Sequence, residues 1–176
     1  GVPNLFLVGF WLVGAINSFN LIDGLDGLAT GIGIISLLPL MILTFGQDSF
    51  TVIGGLVSGL IAILIYNFYP AKLFLGDGGS YLLGFLVAYL VIVGLSTPGV
   101  SSNGWSLTVG LLLLGIPIID TVLAILRRAK SKGGIMEADQ NHLHHKLYRS
   151  FGHAPAVLIV YLIQVVLSGL ALLITF

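Results

Sequence analysis

Apolar stretches of near-membrane-spanning length recur from one end of this chain to the other, separated by short polar connections. A helix needs about 20 mostly apolar residues to cross a hydrocarbon core. Six such segments can be drawn, roughly 3–18, 27–46, 52–69, 81–97, 105–126 and 155–176. The first is short for a span and reads as truncated or tilted. Of 176 residues, 57% are hydrophobic and 8% charged, against about 25% charged in an ordinary soluble domain. The expected fold is all-α: a polytopic membrane bundle of about six transmembrane helices, forming one membrane-embedded domain over 1–176. No internal repeat, low-complexity linker or second domain stands out. Net charge is zero, which gives no reason to expect nucleic acid as a partner, and the absence of Cys excludes disulfides and thiolate metal sites.

Orientation follows from the basic residues. If the segments cross alternately, Lys72, Arg127, Arg128, Lys130, Lys132, Lys146 and Arg149 all fall on one face, and no Lys or Arg falls on the other. The positive-inside rule makes that face cytoplasmic. Asp23, Asp26, Asp77, Glu137, Asp139 and every His share it, while Asp48 stands alone outside. The ionisable chemistry is therefore expected at one membrane surface.

Three polar islands carry it. The first reads N-S-F-N-L-I-D-G-L-D-G-L-A over 17–29 and repeats an amide or carboxylate every third position: Asn17, Asn20, Asp23 and Asp26. On a helix that spacing draws a slowly drifting stripe, and Gly24 and Gly27 should end or open the helix where the carboxylates sit. The second, F-L-G-D-G-G-S, sets Asp77 among glycines ahead of the next apolar segment. It reads either as a turn capped by Asp77 or Ser80, or as a phosphate- or metal-binding loop at a helix N-terminus. Lys72 beside it is an ordinary interfacial anchor.

The third island, 127–154, opens with Arg127, Arg128, Lys130 and Lys132 and continues into His142, His144 and His145. The basic run alone is a topology and lipid-headgroup signal. The histidines lack the spacing of a helical zinc motif, and among so many cations they suit an anion better than a metal; His153 reads as an ordinary interfacial residue. Asp120, one to two turns inside the fifth segment, is a functional candidate by position. It is equally a partner for Arg127 or Lys72, or a cap for a helix restarted after Pro117. Together the islands offer hard oxygen ligands for Mg²⁺ and donors for phosphate oxygens.

The same motifs, N-x-x-N-x-x-D-G-L-D-G-L-A, F-L-G-D-x-G-S and H-L-H-H-K-L in that order, resemble the polyprenyl-phosphate N-acetylhexosamine-1-phosphate transferases of glycosyltransferase family 4. The resemblance covers the whole chain. It implies Mg²⁺-dependent transfer (Mn²⁺ being the alternative metal) of a sugar-1-phosphate from a UDP-sugar to polyprenyl phosphate at the cytoplasmic face of a bacterial plasma membrane, with release of UMP. It also implies roles. Asn20 and Asp77 would hold the metal, and Phe74 would stack on uracil. Asp23 and Asp26 would shape the nucleotide pocket, together with Asn17 and Gly76 on the substrate side. His142, His144 and His145 would meet the diphosphate or sugar, and Arg127, Arg128 and Asp120 match a D-T-x-x-A-x-x-R-R pattern. Asp23, Asp26, Asp77, His144 and His145 are the catalytic candidates among these.

His142-Leu143-His144-His145 resembles the branch that transfers GlcNAc-1-phosphate in teichoic acid or surface-antigen synthesis. The MurNAc-pentapeptide branch, which carries three consecutive His, is the alternative. In one respect this chain departs from the family, whose adjacent aspartate pair in an earlier loop is missing. The expectation is that upstream helices precede this sequence and that it is inactive without them. A transporter or a non-catalytic relative are the rivals from other classes. Oligomeric state is not legible, with a homodimer one assembly in keeping with the pattern.

Overall fold

A computed structural model describes residues 2–97, 100, 106–130 and 142–175. The chain is an all-α polytopic membrane protein. Its helices are α1 (Val2–Ile22), α2 (Leu28–Leu43), α3 (Asp48–Asn67), α4 (Gly76–Ser96), α5 (Ser106–Leu113), α6 (Gly115–Lys130), α7 (Leu143–Phe151) and α8 (His153–Thr175). Four of them, α1, α3, α4 and α8, are long and apolar enough to span a bilayer, and α5 with α6 makes a fifth, broken span. The expected count of about six is therefore corrected. The remaining apolar segment, 27–46, is α2, which has only 16 residues, or about 24 Å of helix.

What α2 lacks in length it makes up in burial. It packs against α3, α4 and α8, and Leu28, Ala29, Ile32, Leu37 and Leu40 are wholly inaccessible. The outer helices instead expose Phe6, Phe10, Ile65, Leu162 and Leu173, as lipid-facing surfaces should. α1 lies along α4, where Trp11 Nε1 donates to Ala88 O at 3.2 Å. A Cβ on Gly84 would sit 2.9 Å from the Ile16 Cα, so the two backbones approach as closely as only glycine allows.

The segment expected as one helix over 105–126 is bent by 83° at Leu114. Pro117 explains the break. It has no N–H to give to the carbonyl of Leu113, and its ring crowds that carbonyl. In hydrocarbon such orphaned groups need other partners, and α8 supplies them through one buried amide. Gln164 Nε2 donates to Leu113 O at 2.8 Å, and Gln164 Oε1 accepts from Ile116 N–H at 3.1 Å. Pro39 inside α2 leaves the carbonyl of Ile35 in the same state, and Ser168 Oγ donates to it at 3.3 Å. Gln164 Nε2 lies 3.3 Å from Ser168 Oγ, so adjacent turns of α8 mend two proline breaks.

Smaller boundaries shift as well. α1 reaches Ile22 over 21 residues, so the first segment is not short. The connection placed at 47–51 is mostly the first turn of α3, which begins at Asp48. The α1–α2 and α3–α4 connections and the start of α7 and α8 meet at one end of the bundle, as the alternating assignment required.

Candidate functional site

The backbone opens where the glycines predict: α1 stops at Ile22 and α2 starts at Leu28, with Gly27 preceding it at φ 80°. The polar stripe is thereby split. Asn20 stays on α1, while Asp23 and Asp26 project from the connection. Asn17 leaves the group altogether, its Nδ2 turned back to Val13 O at 2.7 Å on an exposed face.

In the second island, α4 begins at Gly76, so Asp77 and the glycines form its first turn. The capping alternative does not hold. Leu75 occupies the cap position without a side-chain bond, and Ser80 Oγ donates to Asp77 O. The free N–H groups of this turn and its dipole favour an anion close by. Across the α1–α4 seam, Asn20 Nδ2 donates to Asp77 Oδ1 at 3.2 Å and to Ser80 Oγ at 3.0 Å.

These groups border an open cleft of about 340 Å³, lined among others by Asn20, Asp23, Asp26, Asn67, Phe74 and Asp77. Gly76 also borders it. Phe74 is 70% exposed at the cleft, an unusual position for a phenyl ring beside carboxylates. Burial, then the nearby charges of Asp77 and Asp26, push the Asp23 carboxyl up to about 6. Like charges gathered in this way are relieved by a cation.

The donor set suits one particular kind of cation. No group of three or more His, Cys, Asp or Glu converges on a metal position among the described residues. Mg²⁺ is commonly bound by one or two carboxylates, with water and substrate phosphates completing its octahedron. Asp77, with the Asn20 side-chain amide against it, has the chemistry for that sparse ligation.

The third island reaches the site only in part. His142 and His144 are buried, at 4% and 1% exposure, and His145 is half-buried. Asp120 holds the start of α7: its Oδ2 is 2.9 Å from His142 Nδ1, and its Oδ1 accepts Leu143 N–H at 2.9 Å. The alternatives of an Arg127 or Lys72 partner or a local cap thus give way to a tie between α6 and α7. His144 Nδ1 is 3.7 Å from Asp120 Oδ2, beyond hydrogen-bond length. Its ring presses on the first island, where a Cβ on Gly24 would lie 2.6 Å from His144 Nε2. Burial, then the neighbouring imidazoles and Arg149, hold His145 below the usual imidazole value. None of the three His lines the cleft itself. Arg127 and Arg128 are half-buried on α6, each with interactions of its own. Lys132, Glu137 and Asp139 lie outside the described residues.

Sequence reasoning passed over several supports. Asn67 closes the third wall, accepting from Thr30 Oγ1 at 2.8 Å and donating to Leu73 O at 2.9 Å. An Asn ending an apolar run was the available signal. His153, read as an ordinary interfacial residue, instead accepts the Asp26 amide at 3.0 Å and stacks on Tyr69.

Known proteins are similar to this chain in sequence. A model of glycosyl transferase family 4 matches residues 2–95. A probable undecaprenyl-phosphate N-acetylglucosaminyl 1-phosphate transferase of Bacillus subtilis is 38% identical over 167 residues, covering 92% of this chain and 46% of the relative. An undecaprenyl-phosphate alpha-N-acetylglucosaminyl 1-phosphate transferase of Thermotoga maritima is 37% identical, covering 90% and 47%. A phospho-N-acetylmuramoyl-pentapeptide-transferase of Lactobacillus acidophilus is 41% identical, covering 70% and 36%. The chain thus spans less than half the length of these relatives. The matched span holds both acidic islands and the seam between α1 and α4, and on that match the chain belongs to glycosyl transferase family 4.

Proposed function

We propose that this chain supplies the nucleotide–metal half of a polyprenyl-phosphate N-acetylhexosamine-1-phosphate transferase, working on UDP-GlcNAc at the cytoplasmic face of a bacterial plasma membrane. The observation that carries the reading is the Asn20–Asp77 contact at the edge of a carboxylate-rich cleft with an exposed phenyl ring at its border. Phe74 would stack on the uracil, and Asp23 and Asp26 would bound the nucleotide. The N-terminal turn of α4 would face the diphosphate. Asn20 and Asp77 would hold Mg²⁺, which neutralises charge on the diphosphate when bound.

In the reaction, a lipid phosphate oxygen bonds to the sugar-bearing phosphorus of UDP-GlcNAc. The bond from that phosphorus to the bridging oxygen breaks, and UMP leaves with the electron pair. His145, half-buried on α7, would donate a hydrogen bond to a phosphate oxygen, while His142 would anchor α7 through Asp120. A site at the bundle end lets the lipid phosphate approach from the bilayer and the nucleotide from water.

The similarity to pentapeptide transferases supports a second reading, with UDP-MurNAc-pentapeptide as donor. Leu143 favours GlcNAc, because it interrupts the run of three His that resembles that branch. Offering both donors to the intact protein in membranes and following UMP release decides between them. Release with UDP-GlcNAc alone is expected, and release only with the pentapeptide donor would reverse the assignment.

A further inference from the structure

The α1–α2 connection has few bonds of its own. Asp23 N–H reaches back to Asn20 O, and Leu28 N–H reaches Leu25 O. No side chain caps α2 from Gly27. The connection takes its shape from neighbours instead. Asp26 Oδ2 accepts Ala71 N–H at 3.0 Å, Tyr161 hydroxyl donates to Gly27 O, and Asp26 N–H donates to His153 Nε2 at 3.0 Å.

His153 is the first residue of α8, so its backbone is fixed by a 23-residue helix. Its ring is fixed by Tyr69, stacked at 4.3 Å between centroids and 21° between planes, with Tyr148 edge-on at 6.3 Å. To accept an amide N–H, Nε2 must carry the lone pair, which places the proton on Nδ1. The imidazole is therefore a rigid acceptor aimed at one backbone group of the candidate site.

We infer that His153 is a positioning residue for the nucleotide donor: by holding the Asp26 amide from α8, with Tyr69 as its backing, it sets where Asp26 borders the cleft. This rests on the donor reading of the cleft given above. His153 touches no reacting atom; it acts through Asp26. The same ring joins all three polar islands, since Asp26 lies in the first, Tyr69 borders the second and His153 closes the third.

The test compares His153→Ala, His153→Phe and His153→Gln in the intact, membrane-extracted protein. Phe keeps an aromatic face for Tyr69 but has no acceptor, whereas Gln places an amide oxygen near the position of Nε2. Hydrogen exchange of the 23–28 segment, without nucleotide, reads the clamp. Exchange should quicken in the Ala and Phe variants and stay near wild type with Gln, with α2 and α4 unchanged. In turnover, the UDP-GlcNAc KM should rise roughly three- to tenfold in Ala and Phe, the worth of one hydrogen bond. The kcat and lipid-phosphate KM should hold, and Gln should restore the donor KM. Unchanged exchange in Ala and Phe, a Gln variant indistinguishable from Ala, or a loss confined to kcat would each overturn the inference. If the wild type turns over no UDP-GlcNAc, the donor reading fails, and the exchange comparison alone decides whether the clamp exists.

Discussion

Asn20 Nδ2 and Asp77 Oδ1 lie 3.2 Å apart, joining positions 57 residues distant in sequence. The pair closes the seam between α1 and α4 at the cleft, where a side-chain amide and a carboxylate become neighbours. Asp77→Asn keeps the size of the side chain and removes its charge. It is expected to cut turnover on the order of 100-fold or more while the protein remains inserted and folded. Sugar-phosphate transfer against added Mg²⁺ measures it, and near-normal turnover would remove Asp77 from the metal.

Phe74 makes a separable contribution. A base stacked on an aromatic ring is worth roughly 1–3 kcal/mol, so Phe74→Ala should raise the UDP-GlcNAc KM about tenfold with little change in kcat. Phe74→Trp should preserve it. Steady-state kinetics on the three proteins checks both statements.

Asp23 predicts a pH-dependent stability. Its folded-state pKa of about 6 lies above the ordinary 3.8, so the folded protein holds the proton longer than the unfolded chain. Stability from this group is therefore greatest at low pH and falls as pH rises between these values. Asp23→Asn should raise the Tm of the ligand-free protein at pH 7.5, and the gain should vanish below about pH 4. Thermal unfolding in detergent at both pH values is the check. A substitution that lowers Tm at pH 7.5 would contradict the strain ascribed to Asp23.

Asp120 is expected to matter through α7. A buried hydrogen bond to a carboxylate, such as the one between Asp120 and His142, is worth about 1.5–3 kcal/mol. Asp120→Ala also strips Leu143 N–H of its acceptor. It should lower Tm and loosen α7, read as faster hydrogen exchange over 143–151, whereas a change confined to catalysis would argue for a direct role.

The sequence disclosed the chemistry more fully than the geometry. Helical membrane character, the break at Gly24–Gly27 and the meeting of three polar islands follow from apolar length, glycine and charge counts, all local signals. What stayed hidden depends on partners far along the chain. Nothing near Asp120 names His142, and nothing near Asp26 names His153. Asn17 fits the three-residue spacing yet gives its amide to Val13 O on its own helix, a local bond that spacing does not reveal. The break at Leu114 was foreshadowed by Pro117, but its repair by Gln164 was not. Gln164→Leu should leave Leu113 O and Ile116 N–H unpaired, at roughly 1–3 kcal/mol for each buried group, lowering Tm without altering substrate preference.

Transfer of labelled sugar-phosphate from UDP-GlcNAc into butanol-extractable lipid tests the central claim most directly, measured for the intact protein and its Asp77→Asn variant with UMP followed in parallel. The account predicts Mg²⁺-dependent label in lipid matched by equal UMP from the wild type, and neither from the variant. Label transfer that survives Asp77→Asn, or lipid labelling without UMP, would contradict it.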